Sequence, residues 1–393
     1  MNLERVLEDF PHLRFQKSWT MSNETLIALG ECVGMIESIA DFPLTPQVRR
    51  QILQVSFSRG AQATTAIEGN TLTDSELQQM LDGKPLPQSR QYQMQEVRNA
   101  LEAMNAILQK MLNSQKQELV TPNLLLGFHK LVGKDLGAMF DAIPGKFRTD
   151  RRHVGRYLAP PHEAVPELVK GLCDWLKNTF CYAKGKQDLS DAIQEAIAAH
   201  VYFEWIHPFG DGNGRTGRLL EFYVLLRAGL PDLCAHILAN HYNNSRQEYT
   251  THFDTARLKR SLTEFMQYSI IGLRDGLRQT MRQLQDHTFT LAWRSAVYDR
   301  FSDYTTYSKK TIFKRRRNLA LVMPVQGDFF PSKLIAEHPL IFKAYENLGG
   351  RALKGDMEQI VALELATEIG NGMYRACTEQ LLARVAQRIP KQK

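Results

Sequence analysis

The sequence predicts a mainly α-helical protein with one β-hairpin, followed by a smaller C-terminal domain of helices and a second hairpin. Three observations support this prediction. Helix-capping residues and apolar residues at helical spacing recur from about residue 24 to 290. A segment rich in proline and glycine, 144–166, is typical of a hairpin followed by extended chain. Near the C-terminus, Asn371 and Gly372 lie between two short strand-like runs, as in a two-residue hairpin turn.

The predicted helices begin at recognisable capping residues. Thr45 can cap a helix whose first turn contains Pro46, and Gly69 is placed to end that helix. Thr73 and Glu76 have the spacing of a capping box, in which each side chain bonds to the backbone of the other residue. Further helices are expected after Thr121 and over residues 87–120, 165–180, 188–206 and 214–228.

Composition limits the classes of protein to which the chain can belong. Its 393 residues suffice for two or three domains, which we expect at 1–110, 111–275 and 276–393. The five cysteines are scattered, so neither a disulfide framework nor a zinc site is indicated. We expect a cytoplasmic protein, because the sequence has no membrane-spanning apolar run and no secretory signal pattern. The net charge of +7 permits an acidic or nucleic-acid partner without requiring one.

The most informative segment is residues 207–218, which read His-Pro-Phe-Gly-Asp-Gly-Asn-Gly-Arg-Thr-Gly-Arg. Apolar helical runs precede and follow it, so it is predicted to be a short polar loop between two helices. The loop glycines let the backbone approach a ligand closely. The second helix begins near Gly214, so its free N–H groups and positive dipole end face the loop. The sequence therefore predicts an anion site, with phosphate as the favoured occupant.

The side chains of this loop indicate a reaction at phosphorus. His207 is the loop side chain that can take a proton near neutral pH. Asp211 is a hard oxygen ligand suited to Mg²⁺, which usually arrives with substrate phosphates. The groups that can bind phosphate oxygens are the Asn213 side chain, the N–H groups around Gly212 and Gly214, and the guanidinium groups of Arg215 and Arg218. A base, a metal ligand and an anion cradle together favour phosphoryl or nucleotidyl transfer.

Every fixed position of the segment matches the signature of the Fic family, His-x-Phe-x-Asp/Glu-Gly-Asn-Gly-Arg-x-x-Arg, which it therefore resembles. The resemblance implies a helical bundle with a β-hairpin flap and a protein adenylyltransferase, which transfers AMP from ATP to a Ser, Thr or Tyr hydroxyl and releases pyrophosphate. It also implies the role of each residue. His207 would deprotonate the hydroxyl, Asp211 would hold Mg²⁺, Gly212, Asn213 and Gly214 would form the anion hole, Arg215 would bind phosphate oxygens, and Arg218 would bind the γ-phosphate. The intact Gly-Asn-Gly favours nucleotide transfer over the phosphate transfer of a related subgroup.

A second segment, Thr64-Thr-Ala-Ile-Glu68-Gly-Asn70, resembles the Ser/Thr-x-x-x-Glu-Gly/Asn pattern of an inhibitory helix found in many Fic proteins. We expect Glu68 in the last turn of its helix, where the helix dipole disfavours a negative charge. A cationic partner would stabilise this carboxylate. By the resemblance that partner is Arg218, which would be drawn away from the γ-phosphate, so the chain would inhibit itself.

Two further regions resemble parts of the family. Residues 144–166 resemble the flap, on which a target protein would dock by adding its backbone as a strand. Tyr249 lies in a stretch that resembles the one contributing to the adenine pocket. Family members often have two adjacent tyrosines there, whereas here Thr250 follows Tyr249. Tyr249 is therefore a candidate for nucleotide binding, although a tyrosine in this position is more often a packing residue than one that stacks on a base.

The C-terminal part carries a basic cluster at 309–317 and then a helix from Arg351, followed by the predicted second hairpin. Three helices and a hairpin resemble a winged helix, which Fic proteins often append. The predicted recognition helix balances Arg351 and Lys354 against Asp356 and Glu358, whereas a strong DNA reader would be more basic. A protein-interaction role or a vestigial domain is favoured over DNA binding.

Several alternatives remain open from the sequence. The site could transfer another nucleotide, such as UMP from UTP, because the signature binds phosphates rather than bases. It could remove AMP from modified proteins, with Glu68 positioning water. The chain could also be a DNA-binding regulator with a silent Fic core, and it could form a homodimer.

Overall fold

The computed structural model of the chain describes residues 3–113, 119–180, 188–234, 236–302 and 310–378. Most of the described residues are helical and the strands are few and short, which confirms the predicted fold class. The chain divides into two compact units, Met1–Met281 and Arg282–Lys393. Every helix of the described ranges is too short or too polar to span a membrane.

The first unit is a helical bundle with one small hairpin. Its helices are α1 (Leu3–Asp9), α2 (Asn23–Ala40), α3 (Pro46–Ala66), α4 (Asp74–Leu81), α5 (Gln91–Asn113), α6 (Pro122–Val132), α7 (Val165–Thr179), α8 (Leu189–Ile206), α9 (Asn213–Arg227), α10 (Ile237–Asn244), α11 (Arg246–Lys259) and the first part of α12 (Thr263–Ser302). The hairpin pairs β1 (His153–Val154) with β2 (Tyr157–Leu158) in antiparallel register.

The predicted capping residues occupy the starts of these helices. The Thr45 hydroxyl accepts a hydrogen bond from the Val48 N–H at the start of α3, and Thr73 and Glu76 form a complete capping box on α4. The end of α3 differs from the prediction by one turn. The helix ends at Ala66, so Glu68 lies just beyond it in a turn that Gly69 closes with φ +98°. Glu68 is therefore outside the last turn in which we expected it.

The two helices that flank the motif loop form the centre of this unit. α8 and α9 pack against each other, α3, α5 and α6 cover α9, and α2 and α7 cover α8. Both helices are buried on most sides, as is typical of helices enclosed by other helices. Ile197 and Val201 of α8 and Leu220 and Val224 of α9 have no exposed surface. The loop between α8 and α9 is thus held between two rigid, buried elements.

The second unit has the order of elements of a winged helix with two additional helices. It contains the remainder of α12, followed by α13 (Lys310–Val322), β3 (Asp328–Phe329), α14 (Pro331–Glu337), α15 (Pro339–Tyr345), α16 (Gly350–Ala362), β4 (Ala366–Gly370) and β5 (Met373–Ala376). The strands form an antiparallel sheet in the order β3-β5-β4. Asn371 and Gly372 both have positive φ, as the predicted two-residue turn requires.

One buried carboxylate holds the helices of the second unit together. Asp356 on α16 accepts hydrogen bonds from Arg315 Nε at 2.6 Å, Arg316 Nε at 2.7 Å and the Tyr345 hydroxyl at 2.9 Å. These residues, which we call the Asp356 cluster, join α13, α15 and α16. Two arginines of the basic segment 309–317 therefore serve packing within the unit. Lys309, at the start of that segment, lies outside the described residues.

Candidate active site

A cavity of about 430 Å³ opens at the N-terminal end of α9, within the first unit. Its size is that of a site for a small molecule. The cavity is lined by Glu68 and by seven of the residues predicted for catalysis, metal binding and nucleotide binding: His207, Asp211, Gly212, Asn213, Gly214, Arg218 and Tyr249. Thr64 and Arg215 lie behind the cavity wall and reach it through Arg218 and Asp211.

The loop between α8 and α9 is braced by the side chain of Asn213. Asn213 Oδ1 accepts from the Phe209 N–H at 2.9 Å, and its Nδ2 donates to the Phe209 carbonyl at 2.8 Å. This amide was expected to bind a phosphoryl oxygen, but both of its polar atoms hold the loop in shape. The N–H groups of Asn213 and Gly214 lie in the first turn of α9, where no carbonyl of the same helix reaches them. Backbone groups are therefore the donors that the loop offers to an anion.

His207 is the first residue after α8 and has a left-handed backbone conformation, with φ +49°. This conformation is uncommon for a residue other than glycine and turns the imidazole toward the cavity lining. Burial, followed by the charge of Arg148, lowers the pKa of His207 to about 4. The imidazole is therefore uncharged at neutral pH and able to accept a proton.

Arg148 holds His207 in this strained conformation. Its Nε donates to the His207 carbonyl at 2.7 Å, while its two terminal nitrogens donate to the carbonyls of Asp150 and Pro160, each at 2.6 Å. One buried guanidinium thus joins the motif loop to the chain on both sides of the hairpin. Sequence analysis gave Arg148 no role of its own within residues 144–166, because nothing local distinguishes it from its neighbours.

Arg218 is the point at which the two predicted motifs meet. Its Nε donates to the Thr64 hydroxyl at 2.7 Å, and its Nη2 donates to the Thr64 carbonyl at 2.8 Å and to Glu68 Oε1 at 2.6 Å. The Arg218 side chain is 2% exposed. Burial opposes ionisation of Glu68, but the charge and hydrogen bond of Arg218 outweigh it and hold the pKa of Glu68 below its ordinary value. We call Arg218, Glu68 and Thr64 the Arg218 cluster.

The profile of the Fic/DOC family matches residues 119–225, which include α6 to α9 and the motif loop. This chain contains a Fic domain. It is 29% identical over 220 residues to the protein adenylyltransferase fic-1 of Caenorhabditis elegans, an alignment that covers 56% of this chain and 40% of that protein. It is 33% identical over 116 residues to a probable protein adenylyltransferase of Aquifex aeolicus (strain VF5), covering 29% of this chain and 32% of that protein. The chain thus spans less than half the length of these relatives.

Solved structures share the fold. A Fic family protein from Desulfovibrio desulfuricans G20 aligns with 92% of this chain and 98% of its own, with a TM-score of 0.56 and 23% identity. Fic-1 from C. elegans aligns with 66% of this chain and 73% of its own, with a TM-score of 0.51 and 22% identity. The second alignment covers about two thirds of this chain, whereas the first covers nearly all of it.

Within the Fic domain, Asp211 and Arg215 are coupled to each other. Arg215 Nη2 donates to Asp211 Oδ1 at 2.8 Å, and Arg215 Nη1 donates to Glu96 on α5. Arg215 is 3% exposed and does not line the cavity, so its place differs from that expected of a phosphate ligand. Asp211 also accepts from the Gly212 N–H, and its side chain is 32% exposed. Of these residues, it is the Asp211 carboxylate that faces the cavity.

Asp211 fits a Mg²⁺ ion that arrives with a nucleotide. The described ranges contain no cluster of three or more His, Cys, Asp or Glu side chains that could hold a metal ion without help. Mg²⁺ is commonly held by one or two carboxylates together with substrate phosphates and water, so a single carboxylate beside an anion site suffices.

Tyr249, on α11, is packed on both sides. Its ring stacks on Tyr242 at 4.7 Å and meets the edge of Phe253 at 5.0 Å, while its hydroxyl lies 2.8 Å from His200 Nε2. It reaches the cavity lining only at its margin, with 5% of its surface exposed. This environment is that of a packing residue rather than of a ring that stacks on a base.

Glu204 is a cavity residue that sequence reasoning missed. It lies in the last turn of α8, and its Oε1 atom is enclosed without a hydrogen-bond partner in the part of the chain that the structure describes. Its position within an apolar helical run was a signal that could have identified it, because carboxyl groups are rarely buried unless they are paired.

Proposed function

We propose that this chain is a protein adenylyltransferase that transfers AMP from ATP to a Ser, Thr or Tyr hydroxyl of a target protein. The observation that carries the proposal is an uncharged imidazole, His207, beside the free N–H groups at the start of α9 in one cavity. A base and an anion site in that arrangement suit attack of a hydroxyl on a phosphate. The relatives named protein adenylyltransferase lend it further support.

In the proposed reaction, His207 accepts the proton of the target hydroxyl as the oxygen attacks the α-phosphorus of ATP. The bond between the α-phosphorus and the oxygen bridging to the β-phosphate breaks, and pyrophosphate leaves with that electron pair. The N–H groups of Asn213 and Gly214 stabilise the negative charge on the α-phosphate as it is attacked. Because these donors are fixed by the Asn213 brace, they need no rearrangement during the reaction.

Asp211 would hold Mg²⁺ against the phosphates of ATP, where the ion offsets their charge and that of the leaving pyrophosphate. Arg215 keeps the Asp211 carboxylate in place and satisfies one of its oxygens, so it acts through Asp211 rather than on the nucleotide.

We propose that Glu68 inhibits transfer by occupying Arg218. The guanidinium that would bind the γ-phosphate is engaged by Thr64 and Glu68, both from the N-terminal part of the same chain. ATP that binds without this contact would not be aligned for attack, because transfer depends on accurate positioning of the phosphates. Displacement of Glu68 would free Arg218 for the nucleotide.

The hairpin is the proposed docking surface for the target. Val154, Gly155, Arg156 and Tyr157 line the cavity, and both residues of β1 are exposed. A target segment that added to this hairpin as a strand would carry its hydroxyl toward His207.

We also propose a reducing compartment such as the cytoplasm. Four cysteines of the described residues are free thiols: Cys32, Cys173 and Cys234 are buried, and Cys377 is partly exposed. Free thiols are typical of a reducing compartment. Cys181 lies outside the described residues.

The test is auto-modification of the Glu68→Gly variant with ATP and Mg²⁺, measured by intact-protein mass spectrometry. We expect added AMP residues that depend on ATP and are absent from the Glu68→Gly/His207→Ala protein. UTP in place of ATP distinguishes transfer of another nucleotide. If neither nucleotide gives a His207-dependent product, on the protein itself or on proteins of a cell extract, the proposal is wrong.

A further inference from the structure

Two carboxyl groups flank Arg218 on one face of α9. Gly214 and Gly217 are three residues apart and therefore lie on the same side of the helix. A Cβ atom on Gly214 would overlap the carboxyl group of Glu68, and one on Gly217 would overlap Glu204 Oε1. Each glycine thus makes room for one carboxyl group, and Arg218 follows directly after the second glycine. One carboxyl comes from the N-terminal segment and the other from α8.

The two carboxyl groups differ in their partners. Glu68 accepts a hydrogen bond from Arg218 Nη2, whereas Glu204 Oε1 has no donor among the described residues although it is enclosed. Glu204 lines the same cavity. A buried polar atom without a partner costs free energy, so Glu204 Oε1 is a group whose contact a ligand or a second conformation can complete.

The groups that face Glu204 explain why it is unused while Glu68 is in place. Arg218 of α9, Glu68 of the segment after α3, Tyr249 of α11 and His200 of its own helix surround it. Burial raises the pKa of Glu204 to about 8, with Arg218 opposing the rise and Glu68 adding to it. Glu204 is therefore largely protonated at neutral pH in this state. Loss of Glu68 removes a repelling charge and leaves Arg218 without its carboxylate, and both changes favour the ionised form.

We infer that Glu204 is a positioning residue that takes over the guanidinium of Arg218 when Glu68 is displaced. A guanidinium has five N–H donors, and Thr64 takes the one on Nε and one of the two on Nη2, so the remaining N–H groups suffice for Glu204 and a phosphate. Glu204 would keep Arg218 at the cavity wall, and its proton would pass to solvent. The inference deepens the proposed function, because it rests on Arg218 being the group that Glu68 releases.

The test is a thermal-unfolding cycle without nucleotide, in which Glu204→Gln is introduced into the wild-type protein and into Glu68→Gly. Glutamine keeps the shape of the protonated acid but cannot become a charged partner. We expect Glu204→Gln to lower the Tm of Glu68→Gly by at least about 2 °C more than it lowers that of the wild type. Equal shifts in the two backgrounds would overturn the inference.

Glu221→Gln is the matched control. Glu221 is also a buried carboxyl group facing Arg218, and burial likewise raises its pKa to about 8. Its Oε1, however, accepts from the Tyr242 hydroxyl at 2.8 Å, so it has a partner already. We expect Glu221→Gln to shift the Tm equally in both backgrounds. If the Tm shift of Glu221→Gln depended on Glu68 as strongly as that of Glu204→Gln, Glu221 would be the carboxyl group that takes over Arg218, which would contradict our inference.

Gly217→Ala provides a second variant that keeps the carboxyl group but displaces it. The added methyl group would overlap Glu204 Oε1, so the variant should also destabilise Glu68→Gly more than the wild type.

Titration calorimetry with ATP, together with the AMP-transfer assay, separates the Glu204 inference from the proposed function. Glu204→Gln should weaken ATP binding about tenfold in Glu68→Gly, as loss of a bond worth about 1.4 kcal/mol implies. A positive unfolding cycle without any AMP transfer would keep the Glu204 inference and reject the proposed function.

Discussion

The Arg218 cluster of the first unit and the Asp356 cluster of the second unit use the same kinds of side chain in opposite ways. Both bury a charged group almost completely, with the Arg218 side chain 2% and Asp356 1% exposed. Both oxygens of Asp356 are occupied by donors from two helices of its own unit. Beside Arg218, in contrast, Glu204 Oε1 is enclosed without a partner in the described ranges, and Glu204 lines a cavity.

The difference distinguishes a structural cluster from a functional one. A buried ion pair whose hydrogen bonds are all made stabilises one arrangement and resists change. A cluster with spare buried polar atoms has contacts left to make, which a ligand or a second conformation can use. Substitutions in the Asp356 cluster should therefore affect stability, and substitutions around Arg218 should affect transfer.

The largest effect should come from His207→Ala. Loss of a general base should lower the transfer rate of Glu68→Gly by about 10²–10⁴-fold. ATP should still bind, since the phosphate donors are backbone groups of α9, and calorimetry checks this. The result would contradict the assignment if transfer stayed within a few fold of the parent.

Asp211→Asn should weaken the binding of ATP in the presence of Mg²⁺ by about tenfold or more, as loss of one charged ligand worth about 1.4 kcal/mol implies. Binding without Mg²⁺ should change less. Glu96→Gln is the control, because Glu96 also pairs with Arg215 but does not line the cavity. An equal dependence on Mg²⁺ in Asp211→Asn and the wild type would exclude Asp211 as the metal ligand.

Asp356→Ala should destabilise the C-terminal unit by about 2–4 kcal/mol, because it leaves two arginines and a tyrosine hydroxyl without their acceptor. Denaturant unfolding measures the loss. Glu358→Ala, at an exposed position of the same helix, should cost less than about 0.5 kcal/mol. Transfer by either variant should equal that of the parent at a temperature where both are folded, and a loss of transfer would link the two clusters.

The smallest effect concerns pH. The pKa of His207 is lowered to about 4, so the imidazole is the free base at pH values above 4 and becomes protonated only as the pH falls through that value. Transfer by Glu68→Gly should therefore be similar at pH 6 and pH 7. For a base with the ordinary pKa of about 6.5, the fraction in the free-base form, and with it the transfer rate, would instead fall roughly threefold from pH 7 to pH 6. Such a loss would mean that His207 is not held in its buried environment during transfer.

Local sequence signals predicted much of the fold and many of the residues of the site. Capping residues such as Thr45 and the spacing of residues 207–218 act within a few residues, so they are visible in the sequence. The partners of Arg215 and Asn213 were not visible. Glu96 meets Arg215 across 119 positions of the chain, and only the packing of α5 on α9 brings them together. The Asn213 side chain turns back to Phe209 because the left-handed start of the loop places those groups within reach.

The central claim is that one guanidinium, that of Arg218, serves both the inhibited and the active state. Transfer rates of the wild type, Glu68→Gly, Arg218→Ala and Glu68→Gly/Arg218→Ala, at saturating ATP and Mg²⁺, test it most directly. We expect Glu68→Gly to exceed the wild type by about 5–150-fold, the usual range of coupling between sites, and the double variant to be as inactive as Arg218→Ala. Glu68→Gly at or below the wild-type rate, or a double variant as active as Glu68→Gly, would contradict the account.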